Sequence, residues 1–349
     1  MTGVQTCALP ISVPARRAMK TRFNVALIVL RVPVRVILMI AQEGGDVIRR
    51  RSARSPIAGA DLLRLAIGII GIGTSGPLIA WGVMAVPVAI FWRNFGGALI
   101  TLPFAIARGE WRRLSRTSWG WSILAGVFLA LHFICFFYSM RLTSVASGTA
   151  LTATQPIFAA LWLRYKGRKV DYRVWVGMGI SMVGVFIITG VDWSLSTQSL
   201  VGDLVAVLGG ALAAAYVTAG SHVQKVVSTT TYTTICYLVC ALTCLVFVIP
   251  SGASLIDYPR FEWLLILGLI VGAQLLGHSM FNQVLARVNP AVVSLIVFFE
   301  VPVGALLAVW WLNQVPPAGI IPGIALLIFG SALVATRTSR SEEHTSELQ

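Results

Sequence analysis

Charge is what this chain lacks. Only 11% of its 349 residues are Asp, Glu, Lys or Arg, against about 25% in soluble domains. That excludes a water-soluble globular fold. Acid is scarcest, with 13 Asp and Glu facing 27 Lys and Arg, so clustered acid chemistry has little to draw on. Four histidines and five cysteines supply neither a zinc-ligand pattern nor a disulfide framework. No Walker lysine motif, metal-ligand cluster or nucleophile elbow occurs. ATP hydrolysis has no machinery here, and no cofactor is expected.

What is present is apolar. Hydrophobic residues make up 57% of the chain, and mean hydropathy is +0.83. These values describe a polytopic, all-α integral membrane protein. The net charge of +14 does not signal nucleic acid, because the basic residues fall in short segments between apolar runs. That is the pattern of positive cytoplasmic loops.

The two ends are set aside. Thr2–Ile11 reads TGVQTCALPI, which ACTGGAGTTCAGACGTGTGCTCTTCCGATC encodes. The reverse complement of that DNA, in another frame, encodes SEEHTSELQ, the text of Ser341–Gln349. Residues 1–11 and 340–349 are therefore expected to be translated sequencing adapter. Residues 12–58 form a basic segment expected on the cytoplasmic side, where Arg31, Pro33 and Arg35 interrupt an apolar run.

Ten spans are expected: Leu62–Trp81, Val86–Ala107, Trp119–Ser139, Val145–Leu163, Val174–Gly190, Gly202–Ser221, Tyr232–Ile249, Trp263–Gln283, Ala291–Leu312 and Gly319–Ala335. Loops after the even-numbered spans carry Arg108, Arg112, Arg113, Arg164, Lys166, Arg168, Lys225, Arg287 and Arg337. The opposite loops hold Asp192, Asp257 and Glu262, with Arg141 and Arg260 their only basic residues. Both termini are accordingly expected in the cytoplasm.

Ala291–Leu312 reads AVVSLIVFFEVPVGALLAVWWL, with Glu300 and Pro302 near its middle. A charge at that depth costs roughly 2.5–3.5 kcal/mol on insertion scales. Pro302 frees a carbonyl where no water is at hand. Together they point to a lined cavity. A protonated or helix-bonded carboxyl is the plainer alternative.

A shift of 146 residues superposes the chain on itself. His132 falls on His278, Arg141 on Arg287, Pro156 on Pro302, Gly177 on Gly323 and Gly184 on Gly330. Five spans per half force the two copies into opposite orientations, and inverted repeats are a transporter architecture. The repeats are taken as residues 62–190 and 200–336.

These residues resemble the EamA-type units of the drug/metabolite transporter superfamily. The resemblance rests on Phe299-Glu300-Val301-Pro302-Val303, on Arg93 in the second span, and on the Gly177…Gly184 and Gly323…Gly330 spacing. It implies ten helices, alternating access and export of a small metabolite. Lys166-Gly167-Arg168 and Asn313-Gln314 stand where the family often has a Gly-Glu pair, so no substrate is carried over from a characterised member.

Candidate substrate-binding or coupling residues are Glu300, Arg93, His132, His278, Asn282, Gln283, Gln155 and Tyr216, with Pro156 and Pro302 as helix breakers. Arg93 keeps its charge and needs an anion, a carbonyl or a route to the interface. The histidines suit a proton relay or, more simply, helix packing. Cys236, Cys240 and Cys244, spaced by four, are read as a packing stripe rather than a soft-metal site. The leading reading is a secondary transporter of a bacterial inner membrane, exporting or exchanging an amino-acid-like metabolite with proton coupling. A flippase for a lipid-linked or nucleotide-like substrate is the alternative, and an intramembrane transferase the remaining one. Expected partners are the substrate and the bilayer, with a homodimer left open.

Overall fold

The computed structural model describes residues 59–168, 170–278, 280 and 298–346. Among these the chain forms helices and turns only. α1 (Gly59–Gly73) and α2 (Ser75–Trp81) make the first span, kinked at Thr74. α3 (Val86–Arg108), α4 (Arg116–Leu142), α5 (Val145–Thr152), α6 (Gln155–Tyr165) and α7 (Tyr172–Leu195) complete the first half. The second half has α8 (Thr197–Val223), α9 (Thr229–Ser251), α10 (Arg260–Gly268) continuing as a π-helix over Leu269–His278, α11 (Glu300–Leu312) and α12 (Ile320–Ser346).

Short polar residues start these helices. Side chains of Ser115, Ser144, Asp171, Ser196 and Ser228 accept from backbone N–H groups in the first turns of α4, α5, α7, α8 and α9, satisfying donors a helix start leaves unpaired. Left-handed residues stop them. Gly109 ends α3 at φ 61° and Gly252 ends α9 at φ 63°. Gly167, at φ 77°, follows α6, and Asn313, at φ 54°, follows α11. The four left-handed residues thus fall into two pairs, one in each half, at or near the shift that aligns the sequence.

Among the described residues seven helices, counting α1–α2 as one, are long and apolar enough to cross a membrane. The other three of the ten expected spans do not appear as continuous apolar helices of spanning length among the described residues. The fourth is broken at Ala153-Thr154 into helices of 8 and 11 residues. Pro156 causes the break: it has no N–H, and its ring would strike the carbonyl four residues back. Thr152 and Thr154 hydroxyls donate to the carbonyls of Gly148 and Leu151 at 2.8 and 2.7 Å. The ninth, among the described residues, starts at Glu300 and has 13 residues. The tenth is apolar over Ile320–Val334, within a longer helix. Outward-facing Phe186 and Val246 are 69% and 66% exposed, a belt suited to acyl chains rather than water.

Contacts between spans come in matched sets when the halves are exchanged. α4 packs on α8, and the π-helix on α1; α5 and α6 pack on α8, and α11 on α1 and α2; α3 pairs with α9 and α7 with α12. In the last pair an added Cβ at Gly177 would meet the Gly330 carbonyl at 2.8 Å, and one at Gly184 the Gly323 carbonyl at 2.6 Å. α7 and α12 therefore cross antiparallel at backbone contact, helped by the Ser181–Ser331 hydroxyl pair at 3.2 Å.

Two acids tie the halves together at opposite ends of the bundle. Glu110 Oε2 accepts from the Ser228 N–H and Oγ and from Thr231 Oγ1, capping α9. Glu262 is 4% exposed; its carboxylate accepts from the N–H groups of Val83 and Met84 just before α3. Each acid precedes or opens the third span of its half and holds the start of the second span of the other. The Ser228 hydroxyl, then its N–H and Thr231, hold the Glu110 carboxyl down at about 2, from an ordinary 4.5. A depressed acid stabilises the fold fully above its ordinary value and loses that contribution as pH falls toward the folded value. Amide protection factors at the start of α9, taken relative to intrinsic exchange at each pH, are expected to be constant with respect to this contact from pH 7 to about 4.5 and to fall below that. In Glu110→Gln that acid-dependent step disappears.

Candidate functional site

The core of the bundle holds a cation short of acceptors. Arg93, on α3, is 2% exposed, and its Nε and Nη1 have no hydrogen-bond partner. Its guanidinium lies over the Phe133 ring, 4.3 Å from the centroid, with Phe137 at 5.9 Å. Ring faces attract a cation, but they accept no conventional hydrogen bonds, so the fork is left for another anion.

Glu300 enters from the other half, in the first turn of α11, where the helix dipole favours negative charge. Ser75, at the kink between α1 and α2, donates to Glu300 Oε1 at 3.2 Å. Glu300, Tyr237 and Cys240 lie within electrostatic reach of Arg93. No ion pair closes Arg93 on Glu300 among the described residues. Both groups stay available.

His132 lies beside this cluster, within reach of Arg93. Its Nδ1 donates to the Gly209 carbonyl at 2.9 Å, joining α4 to α8, and its ring stacks on Phe136 at 6.0 Å. Tyr216 stacks on Tyr232 at 6.3 Å and neighbours Tyr237 and Cys240. Gln155 stands apart at the start of α6, where α6 meets α8. Asn282 and Gln283 lie outside the described residues, as does the His278 side chain. Cys236, Cys240 and Cys244 are each 0% exposed in the α9 packing face.

Sequence reasoning passed over three polar groups. Gln274, in the π-helix, is 3% exposed and faces the Tyr237 hydroxyl. Its side chain occupies the space a Cβ at Gly97 would need, so the Gly96-Gly97 pair admits a polar side chain rather than a neighbouring backbone. Asp192 and Asp203 are 2% and 0% exposed and touch one another. Thr143 donates to Asp192 at 3.3 Å and also faces Asp203. Asp203→Asn supplies an amide donor facing Asp192 and removes a like charge. It is expected to raise the melting temperature of the purified protein by a few degrees, corresponding to about 1 kcal/mol; a fall of that size would show that Asp203 has a partner the charge serves.

Two cavities open at the end of the bundle opposite Glu110. One, of about 660 Å³, is bounded by Gly82, Val83, Met140, Arg141, Thr143 and Gln314. The other, of about 390 Å³, is bounded by Pro87, Ile134, Tyr138, Arg141 and Phe247. Phe133, Phe137 and Arg141 recur every four residues along α4, so one face of that helix runs from the Arg93 site to this mouth.

The sequence model of the EamA-like transporter family matches residues 60–190 and again 200–336. The chain belongs to the EamA-like transporter family. It is a membrane transporter of the drug/metabolite transporter superfamily, built from two EamA units. No curated protein matches the sequence. A solved structure described as the crystal structure of a protein is 19% identical, with a TM-score of 0.56, over 80% of this chain and 98% of its own. That likeness concerns the fold alone. In this EamA-like transporter the arginine and the acid of the core come from different units, so the site belongs to the interface between the two matches.

Proposed function

We propose that this EamA-like protein is a secondary transporter of a bacterial inner membrane that exports or exchanges an amino-acid-like metabolite by alternating access with proton coupling. One observation carries the reading. Buried Arg93 and half-buried Glu300, contributed by opposite units, lie within electrostatic reach of one another with no direct ion pair among the described residues. An arginine fork suits a carboxylate and a nearby acid suits an ammonium, so a zwitterion matches both. Gln274, Tyr237 and the Phe133 and Phe137 rings supply the few polar groups and apolar walls typical of small-ligand sites.

The inverted-repeat reading is supported by the exchanged contacts between spans, the antiparallel α7–α12 crossing and the two pairs of left-handed caps. Two equivalent arrangements of one bundle are what alternating access needs. The Arg-rich end of the bundle is assigned to the cytoplasm, with both termini.

A thermal-stabilisation panel of amino acids and their carboxyl- and amino-blocked derivatives tests the substrate class on the purified protein. A free amino acid is expected to raise the melting temperature, and blocking either end to remove the effect. Stabilisation by blocked forms as strong as by the free one would contradict the zwitterion reading.

A further inference from the structure

Arg141 has no role in the site described above. It stands in the last turn of α4 and lines both mouth cavities. Its Nε is buried without a partner. The charged and titratable groups facing it are Glu262, Tyr138 and Tyr258. Glu262 gives it a field but not a bond. The oxygens of that acid already accept from the N–H groups of Val83 and Met84, at 2.7 to 3.1 Å, and no ion pair joins it to Arg141 among the described residues. A helix C-terminus favours a cation, yet a guanidinium that merely capped carbonyls would spend its Nε on one. What remains is a guanidinium that lines both cavities and has no bond to the acid whose field it feels.

We propose that Arg141 is the recognition group of a second anion site at this mouth, taking the carboxylate of a small solute. Planar two-pronged recognition of a carboxylate is what guanidinium offers and an ammonium does not. The 660 Å³ cavity admits a metabolite of the size the core would hold. Thr143 and Gln314 line the same cavity with polar groups, although each already bonds within the protein, to Asp192 and to the Val145 N–H. The site rests on the transporter reading for its purpose, as the station a solute occupies before or after the Arg93 site. Its binding is independent of any flux.

Phenylglyoxal modification of the purified full-length chain in detergent tests this, with the Arg141 peptide quantified by mass spectrometry. Potassium glutamate is expected to slow adduct formation at Arg141 at least tenfold, and potassium chloride at equal ionic strength to leave it within twofold. Arg141→Lys, which keeps the charge but loses the fork, is expected to weaken glutamate binding at least tenfold by calorimetry while its melting temperature without glutamate stays unchanged. Equal slowing by chloride would overturn the site as simple screening. Slowing by phosphatidylglycerol micelles but not by glutamate would overturn the solute and give the fork to a lipid headgroup. Because no transport is measured, an error about coupling or direction leaves this result intact.

Discussion

Gly330→Ala is expected to cost the protein most of its folded population in detergent, although it adds a single methyl group. The new Cβ would overlap the Gly177 carbonyl and come within 2.5 Å of the Ser181 N and Oγ. Most of these atoms are backbone and cannot rotate away, so α7 and α12 must separate. Separation stretches the 3.2 Å Ser181–Ser331 contact and the neighbouring crossing, where a Cβ on Gly184 would stand 2.6 Å from both the Gly323 carbonyl and the Leu327 N. Overpacking of a filled interface costs typically about 1–3 kcal/mol, and here it acts where small residues are what lets helices associate in lipid. Gly179 and Gly190, on the same helix as Gly177, are the controls, because a Cβ there meets nothing within 4 Å. Ala at those positions should be neutral or stabilise by about 0.5–1 kcal/mol through reduced backbone freedom. Melting temperatures of the three variants check the contrast. A Gly330→Ala protein as stable as Gly179→Ala would mean the two helices do not touch.

Glu300→Gln is expected to abolish accumulation driven by an imposed pH gradient, a loss of at least about a hundredfold, and to weaken solute exchange across a proteoliposome membrane as the substrate ammonium loses its partner. The amide keeps an oxygen for Ser75 and the shape of the side chain but cannot exchange a proton or hold an ammonium. Glu300→Ala removes the acceptor as well, and both activities should go. Interactions realised at a buried charge are worth several kcal/mol where water is excluded, which is why a partial effect on accumulation is not expected. Both variants should still insert and elute as the parent does, since Glu300 is not part of a closed ion pair among the described residues. Gradient-driven accumulation at the parent rate by Glu300→Gln would remove this acid from the coupling step.

Much of the framework was legible in the sequence because lipid imposes simple rules. Apolar runs bounded by Ser caps and left-handed Gly or Asn give helix limits within a few residues, as Val86–Arg108 shows against an expectation of Val86–Ala107. The 146-residue shift paired His, Arg, Pro and Gly, and the glycine pairs reappear as the α7–α12 crossing. Pro156 marked a breaker, though the span around it was drawn unbroken. The long-range partners were not legible. Glu110 and Glu262 looked like stray loop acids because they bond backbone and hydroxyl groups more than a hundred positions away, and backbone amides carry no sequence signature. Nothing in the sequence joins Asp203 to Asp192, and only packing brings the two together. His132 could be matched to His278 by the repeat, but its bond to the Gly209 carbonyl depends on how α4 lies across α8.

The central claim is that equivalent points in the two halves face opposite sides of the membrane. Lys166→Cys and Val315→Cys, each in a Cys135→Ala background, probe it directly. They flank the corresponding left-handed residues Gly167 and Asn313, Lys166 is exposed, and Val315 is 39% exposed. On intact cells a membrane-impermeant maleimide should label Val315→Cys at once and Lys166→Cys only after the membrane is opened. Labelling of both from the same side would contradict the inverted arrangement, and with it the site proposed between Arg93 and Glu300.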